Sequence, residues 1–339
     1  MSVTIPSYKA AHFDLCLQSA IRQTYRNIEI LISDNCPTDD IKNIVDRYGD
    51  DRVSYRRSNA SPLDNFLSSL FLGRGSLIKP LFDDDRLHET CIEKMVSVAL
   101  QQGMLSQSNP RATLIFSASQ VVDENDLALA ERRIADRNCA IDQAAMVRKF
   151  ITLDNQVGEF STVMFARDEL IRMSAYGLIR IGDNVLKGLG DVVFFTNLLQ
   201  QGYAYYLNDI LSFFRKSVTH SSNSNYQSNK DFIDEIVSWF DLYVSYYQEG
   251  LISRDELIAT ERRATMTYNY WKDRYGSDLT CMFNQYLDII HFARNNTDDK
   301  LLAYVRQNVL PSAAMIAKSH SSTAMLWGTV KDLWRLLRS

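Results

Sequence analysis

The sequence predicts an α/β fold, with a mostly parallel sheet flanked by helices and an α-helical C-terminal extension. Three observations carry this prediction. Short apolar runs alternate with amphipathic stretches between residues 3 and 101, which is typical of a parallel sheet covered on both faces. Residues 217–229 are uncharged and rich in Ser and Asn, which indicates a loop. From Lys230 onward only helical patterns remain.

Strand–helix repeats make up the first part of the chain. The predicted strands cover residues 3–5, 28–32, 53–55 and 77–82, and the predicted helices cover residues 12–24, 39–48, 63–72 and 88–101. A more mixed region follows, with predicted strands at 113–122 and 161–166, helices from Arg167 and over 192–201, and two small strands within 203–214. The C-terminal part is predicted to form helices over 231–248, 253–275, 278–294, 298–308 and 322–338.

Composition excludes several classes of protein. The 339 residues include 37 Lys and Arg against 41 Asp and Glu, and a net charge of −4 argues against nucleic acid as the main partner. The five cysteines are scattered and form no CxxC motif, so we expect reduced thiols and a cytoplasmic location. We expect neither a signal peptide nor a membrane-spanning helix, because no suitable apolar run is present.

Polar residues follow four of the predicted strands, where the ligands of such sheets bind. They are Pro6, Ser7 and Tyr8 after the first strand, Ser33, Asp34 and Asn35 after the second, Asn59, Asp64 and Asn65 after the third, and Asp83, Asp84 and Asp85 after the fourth. Three consecutive carboxylates repel one another unless a cation or hydrogen-bond donors balance them, and oxygen ligands suit Mg²⁺ or Mn²⁺. The alternative is a solvated turn in which Asp85 caps the next helix, but the other polar strand ends favour a ligand site.

Three segments together resemble the family 2 inverting glycosyltransferases, which have the GT-A fold. These segments read VTIPSY from Val3, SAIRQTYRNIEILISDN from Ser19 and IKPLFDDDRLHETCIEKMV from Ile78. The resemblance extends from about residue 2 to about residue 224. It implies a GT-A glycosyltransferase domain over 1–224 and a helical C-terminal domain over 225–339.

The resemblance implies roles for the residues at the strand ends. Pro6, Ser7 and Tyr8 would line the donor nucleotide site, together with Asp34, Asn65, Asp83 and Asp84. Asp34 would accept a hydrogen bond from a uracil base, and Asp83 and Asp85 would hold Mn²⁺ or Mg²⁺. The sequence departs from the family pattern at two positions. Ser33 stands where the family usually has an acid, and Asp64 stands where a basic residue is common.

Two later segments complete the resemblance. Asp191, which follows Gly188-Leu189-Gly190, matches the family segment that supplies the catalytic base, although Asp is also a common helix N-cap. Glu159 is a weaker candidate for the base. Arg215 and His220 match residues that reach the donor diphosphate and the metal, respectively, although His220 could also be an ordinary surface histidine.

The implied function is metal-dependent, inverting transfer of a sugar from a nucleotide-diphosphate donor, with a UDP-sugar favoured. The acceptor would be a glycan or a lipid-linked glycan, as in bacterial surface polysaccharide synthesis. The alternative is a non-catalytic relative that binds sugar nucleotides or glycans as an assembly subunit. Residues 318–339 read as a basic amphipathic helix, which predicts peripheral contact with the inner face of the cell membrane, or else packing on the catalytic domain or in a homo-oligomer.

Overall fold

The fold is described from a computed structural model, which covers residues 1–107, 109–153, 155–173, 175–216 and 232–308. Its strands are β1 (Ser2–Ser7), β2 (Glu29–Asp34), β3 (Val53–Arg57), β4 (Leu77–Pro80), β5 (Arg86–Leu87), β6 (Ala112–Val122), β7 (Ala128–Arg132), β8 (Cys139–Ile141), β9 (Val163–Ala166), β10 (Arg180–Ile181), β11 (Asn184–Val185) and β12 (Tyr203–Arg215). Its helices are α1 (Phe13–Ile21), α2 (Asp40–Val45), α3 (Pro62–Leu72), α4 (Cys91–Gln101), α5 (Gln143–Leu153), α6 (Arg167–Met173), α7 (Gly190–Leu198), α8 (Phe232–Gln248), α9 (Arg254–Ala259), α10 (Glu261–Asn295) and α11 (Asp298–Gln307). Short 3-10 helices lie at Phe160–Thr162, Ala175–Leu178, Lys187–Leu189 and Leu199–Gln201.

One central sheet organises the molecule, in the order β3-β2-β1-β4-β9-β6-β12-β5. The first four strands in this order are parallel to one another, as the strand–helix repeats predict. Strand β9 is antiparallel to both of its neighbours, whereas β6 and β12 are parallel to each other. The predicted α/β class, with a sheet flanked by helices and a helical C-terminal part, is confirmed.

Strand β12 corrects the prediction of two small strands within residues 203–214. It is one strand of 13 residues that pairs with β6 along its whole length. Its register against β6 shifts between Leu207 and Ile210 and again between Ile210 and Ser212. The polar Asn208-Asp209 pair, which interrupts the apolar pattern, lies at the first of these shifts. The strand continues past it because a bulge accommodates residues that do not pair.

Each face of the sheet packs against its own set of helices. Apolar side chains of α1, α2 and α4 cover one face. Helices α3, α5, α7 and the described C-terminal helices cover the other face in a single hydrophobic cluster. The C-terminal helices therefore share a core with the sheet and lie against the elements that carry the candidate site.

The helical part departs from the predicted boundaries at one point. The helix predicted over 253–275 is divided at Thr260 into α9 and α10, and a capping box of Ser253 and Glu256 begins α9. Helix α10 continues to Asn295, with a break at Gly276, whose positive φ of 54° favours glycine. The boundary at 224/225 and the predicted helix over 322–338 lie outside the described residues.

No helix within the described ranges combines the length and the apolar character needed to cross a bilayer.

Candidate active site

Strands β1 and β2 bring two of the predicted nucleotide-site residues side by side. In their parallel register, Pro6 lies opposite Ser33 and Ser7 lies opposite Asp34. The carboxylate of Asp34 is fully buried, with 0% of the residue exposed. Its Oδ1 accepts a hydrogen bond from the Cys36 backbone N–H at 2.7 Å.

The other oxygen of Asp34 connects β2 to β3. Asp34 Oδ2 accepts hydrogen bonds from the Tyr55 hydroxyl at 2.6 Å and from Arg57 at 2.9 Å. Arg57 also donates to the backbone carbonyls of Cys36 and Thr38, at 2.7 and 2.8 Å. Asp34 and Arg57 therefore fix the shape of the loop after β2, and the predicted contact of Asp34 with a base stays a prediction.

Asn65 joins helix α3 to the end of β2. Its Nδ2 donates to the Ser33 carbonyl at 2.7 Å and to Asn35 Oδ1 at 3.0 Å. The Ser33 hydroxyl donates to Asn65 Oδ1 at 2.7 Å. The serine that replaces the usual acid at this position is thus a buried partner of Asn65.

The acidic loop, which we define as Asp83, Asp84 and Asp85, follows β4 and lies beside the end of β1. Asp83 Oδ2 accepts hydrogen bonds from the backbone N–H groups of Tyr8 and Lys9, at 2.6 and 2.8 Å. Burial and the nearby charge of Asp84 raise the pKa of Asp83 to about 6. The Tyr8 residue is 47% exposed, which leaves its ring available at the rim of the loop.

Arg215, at the end of β12, holds the acidic loop from behind. Its backbone N–H donates to Asp85 Oδ1 at 2.9 Å, and its Nε donates to the Asp84 carbonyl at 3.0 Å. Its guanidinium also donates to the Asp123 carbonyl at 2.7 Å and to Asp126 Oδ1 at 2.5 Å. Because only 1% of Arg215 is exposed, these contacts assign it to support of the loop, and its predicted diphosphate contact stays a prediction.

Asp85 has a buried carboxylate oxygen that a cation could satisfy. Its Oδ2 is buried and forms no hydrogen bond of good geometry with the described residues, while the nearby Ser161 hydroxyl favours the ionised carboxylate only in part. Burial, together with the charge of Asp84, raises the pKa of Asp85 well above its usual range. A buried carboxylate oxygen that is incompletely satisfied is costly unless a cation or a proton satisfies it.

The acidic loop fits Mg²⁺ or Mn²⁺ that is shared with a substrate. Within the described ranges, no group of three or more His, Cys, Asp or Glu side chains has the arrangement of a metal cage. Mg²⁺ is commonly held by one or two carboxylates together with substrate phosphates, and Asp83 and Asp85 could supply the carboxylates. His220, which we predicted as a further ligand, lies outside the described residues.

A buried lysine supports the same loop from the sheet. Lys79, in β4, is fully buried and donates to the carbonyls of Pro80 and Ser161. Burial lowers the pKa of Lys79 to about 8, while the charge of Asp85 favours its protonated form. The Ser161 hydroxyl accepts a hydrogen bond from the Phe82 backbone N–H at 3.0 Å. This network connects the acidic loop to the segment that precedes β9.

Asp191 lies in the first turn of α7, on a different element from the acidic loop. Its Oδ1 accepts a hydrogen bond from the Val192 backbone N–H at 2.8 Å, and its Oδ2 accepts one from Asn155 Nδ2 at 2.6 Å. Burial, with a contribution from the charge of Glu159, raises the pKa of Asp191 to about 6. Such a carboxylate is mostly ionised at neutral pH and is a stronger base than an ordinary aspartate.

Glu159 interacts electrostatically with both carboxylate sites. Its negative charge raises the pKa of both Asp85 and Asp191, which indicates that it is close to each. One of its oxygens forms an ion pair with Arg132, whereas Oε2 is buried and has no partner among the described residues. The Arg132 guanidinium lies 4.7 Å from the centre of the Phe214 ring. Arg132 therefore compensates part of the negative charge of Glu159.

Helix α8 of the C-terminal part positions the turn before Asp191. The backbone N–H of Gly188 donates to the Ser238 hydroxyl at 3.2 Å. The Thr196 and Tyr246 hydroxyl oxygens lie 2.6 Å apart, which joins α7 to α8 by a hydrogen bond. A Cβ atom at Gly188 would lie 2.5 Å from the Glu235 Cα, so only glycine allows this approach.

We predict that Gly188→Ala destabilises the fold by about 1–3 kcal/mol and lowers activity, because the added methyl group meets backbone that cannot move aside. Urea denaturation measures the stability change. Gly190→Ala is the matched control for stability, since no atom lies within 4 Å of the added Cβ there. Equal stability of the two variants would contradict a tight contact between Gly188 and α8.

Comparison with known proteins finds similarity in sequence and in fold. Residues 2–108 match the family model of glycosyl transferase family 2. The crystal structure of S. aureus TarS 1-349 in complex with UDP aligns with a TM-score of 0.56 at 12% identity, over 90% of this chain and 91% of that chain. The TarS 1-349 complex with UDP-GlcNAc aligns with a TM-score of 0.54 at 14% identity and the same coverage. No curated protein sequence matches the chain.

The structural similarities establish a GT-A fold, and residues 2–108 are similar to glycosyl transferase family 2. The family match covers β1 to α4 and therefore includes the acidic loop, but it ends before Asp191. The roles of the individual site residues stay predictions. The structure adds Asn155, Arg132, Lys79 and Ser161, to none of which the sequence motifs assign a role. Their contacts join segments that are distant in sequence, and only the turn pattern from Asn155 to Gly158 gave a local signal.

Proposed function

We propose that this protein transfers a sugar from a nucleotide-diphosphate donor to a hydroxyl group, with a divalent cation and with inversion at the anomeric carbon. The observation that carries the proposal is the division of the carboxylates into two sites. An acidic loop with a buried, incompletely satisfied Asp85 oxygen lies at the strand ends, and Asp191 begins helix α7 with hydrogen-bond partners of its own. Such a division suits a reaction in which one site holds the leaving group and the other accepts a proton.

The acidic loop would bind the donor through a shared cation. A diphosphate could not approach Asp83, Asp84 and Asp85 without one, because like charges repel at close range. Bound Mn²⁺ or Mg²⁺ supplies charge stabilisation for the departing nucleoside diphosphate. Arg215 and Lys79 keep the loop in place, so that the carboxylates need not reorganise when the donor binds. We infer that the exposed Tyr8 ring packs against the nucleoside.

Asp191 would accept the proton of the attacking hydroxyl. Its oxygens are oriented by Asn155 and Val192, and its pKa of about 6 keeps it ionised at neutral pH. Attack from the side opposite the leaving group is a single displacement, so an α-linked donor gives a β-linked product. The sugar develops oxocarbenium character in the transition state, as in other glycosyl chemistry.

The donor and acceptor classes belong to the same proposal. We favour a UDP-sugar, since the similar TarS structures contain UDP and UDP-GlcNAc. We propose a glycan or lipid-linked glycan as the acceptor, at the cytoplasmic side of a membrane, with residues 318–339 contacting the membrane or a second copy of the chain. Those residues lie outside the described part, and their sequence alone supports this role.

We predict that the purified protein with Mn²⁺ slowly hydrolyses one UDP-sugar from a panel of UDP-, GDP- and dTDP-sugars. Water can replace the acceptor once the donor is bound beside the base. Release of the nucleoside diphosphate measures turnover, and an immediate ¹H NMR spectrum identifies the anomer formed. A β-anomer from an α-linked donor supports inversion. Binding of a nucleotide sugar without turnover, with or without glycan acceptors, would instead favour the non-catalytic alternative.

A further inference from the structure

One short turn holds Asp191 and carries a second charged residue beside it. We define the Asn155 turn as residues 155–159, between α5 and the 3-10 helix at Phe160–Thr162. Asn155 Oδ1 accepts hydrogen bonds from the backbone N–H groups of Val157 and Gly158, both at 3.1 Å. Asn155 Nδ2 donates to the Gly158 carbonyl at 2.9 Å and to Asp191 Oδ2 at 2.6 Å. The amide group is therefore held by four hydrogen bonds.

The backbone of the turn keeps this amide in one orientation. Gly158 has a φ of +91°, a value that side-chain-bearing residues rarely adopt. The turn at Gly158 brings its carbonyl within hydrogen-bond distance of the Asn155 side chain, and Glu159 follows directly in the chain. Because both donors from the backbone meet Oδ1, the Nδ2 group must face Asp191, and a flipped amide would lose these bonds.

The contacts on Asp191 leave its carboxylate oriented and still able to react. Oδ1 and Oδ2 each accept one hydrogen bond, from Val192 and Asn155 respectively. A carboxylate has about four acceptor positions, so each oxygen keeps a lone pair for a substrate proton. Rotation of the carboxylate would break both bonds at once.

Glu159, at the end of the turn, has the opposite effect to Asn155 on the pKa of Asp191. Donation by Asn155 stabilises ionised Asp191, whereas the negative charge of Glu159 destabilises it. Arg132 pairs with Glu159 and moderates this charge. From α8, the buried Tyr246 hydroxyl also interacts with Asp191 electrostatically. Among the described residues, Glu159 and Tyr246 are thus the titratable groups found to interact electrostatically with Asp191.

We propose that Asn155 and Glu159 are opposed positioning residues, which orient Asp191 and set its readiness to take a proton. This inference rests on the proposed function, in which Asp191 is the base. Neither residue needs to touch the reacting atoms, so the expected signature is a change in the pH dependence rather than a simple loss of binding.

We predict opposite shifts of the acid limb of kcat/KM in two variants. Asn155→Ala removes a donor to the ionised carboxylate and should move the limb upward by about one pH unit, which corresponds to a tenfold change in proton affinity. Glu159→Gln removes a negative charge and releases Arg132, so the limb should move downward by about half a unit. Asn155→Asp keeps the bonds to Val157 and Gly158 but places a second carboxylate at Asp191, so it should shift the limb upward further.

Gln156→Ala is the matched control, because Gln156 lies in the same turn and its side chain donates to the Leu153 carbonyl rather than to Asp191. The limb of this variant should coincide with that of the unmodified protein. ¹³C NMR titration of the Asp191 carboxyl, assigned by its loss in Asp191→Asn, reports the same shifts without any turnover.

The two proposals fail in different ways. Turnover that survives in Asp191→Asn would overturn the assignment of the base. If Asp191→Asn is inactive but the NMR pKa of Asp191 is unchanged in the Asn155 and Glu159 variants, the positioning roles are wrong. Shifts in the same direction in both variants would also overturn the inference, because loosened structure moves the pKa without regard to the charge removed.

Discussion

Asp191→Asn should lower the rate of sugar transfer by about 10² to 10⁴-fold, the usual contribution of a general base. The substitution keeps the shape of the side chain but removes the negative charge and the ability to accept a proton. Steady-state transfer assays measure the loss in kcat. Isothermal titration with UDP and Mn²⁺ should give a dissociation constant within about threefold of the unmodified protein, because the acidic loop is on a different element from Asp191.

The control for this variant is Asp183→Asn, which makes the same chemical change at a fully exposed position between β10 and β11. It should leave both kcat and nucleotide affinity unchanged. In the unmodified protein, the raised pKa of Asp191 predicts that kcat/KM falls as the pH drops below about 6. Normal turnover in Asp191→Asn, or a pH profile that stays flat to pH 5, would contradict its role as the base.

The sequence predicts the first four strands and their helices well, because both faces of this part are covered and the apolar pattern is regular. Strands β5, β8, β10 and β11 have only two or three residues, too few for a periodic signal, and β7 is exposed along its whole length, so it lacks an apolar alternation. The sequence pattern also predicts neither helix α5 nor the full length of β12. In β12, the polar Asn208-Asp209 pair interrupts the apolar pattern at the point where the register against β6 shifts.

Within the site, the sequence indicates which residues cluster but not which atoms remain free. Motif order places Asp34 and Arg215 at the donor site, and the structure brings both to the expected strand ends. The side chains are nevertheless occupied, since Asp34 binds Tyr55 and Arg57 while Arg215 binds the acidic loop and Asp126. Such partners come from β3 and from the turn between β6 and β7, whose proximity depends on the tertiary fold.

Asp85→Asn should lower transfer by about 10²-fold or more, since it removes the incompletely satisfied oxygen that is best suited to a divalent cation. The Asn oxygen can still accept the hydrogen bond from the Arg215 backbone N–H, so the loop should keep its position. Addition of EDTA should abolish turnover of the unmodified protein, and Mn²⁺ should restore it. Asp288→Asn, on the exposed surface of α10, is the control for the same chemical change.

Thermal unfolding tests the same site without relying on turnover. A ligand that binds the folded state alone stabilises it, by about 1.4 kcal/mol at ten times its dissociation constant. Mn²⁺ with UDP should therefore raise the Tm of the unmodified protein and of Asp288→Asn but not of Asp85→Asn. Turnover that persists in EDTA, or an equal rise in Tm for all three proteins, would contradict a cation at Asp85.

The pH dependence of the free energy of unfolding, measured without a cation, tests the environment of Asp85 independently of turnover. Its pKa is raised in the folded state, so ionisation of Asp85 destabilises the fold at neutral pH, and this penalty disappears below the unfolded-state pKa near 4. Metal-free Asp85→Asn should accordingly be more stable than the unmodified protein at pH 7, and the difference should vanish as the pH falls toward 4. Saturating Mn²⁺ and UDP should reverse the order at pH 7, because the cation stabilises only the carboxylate. A variant that is less stable at pH 7 in the metal-free state would show that Asp85 is already balanced by protein groups, and that the acidic loop requires no cation.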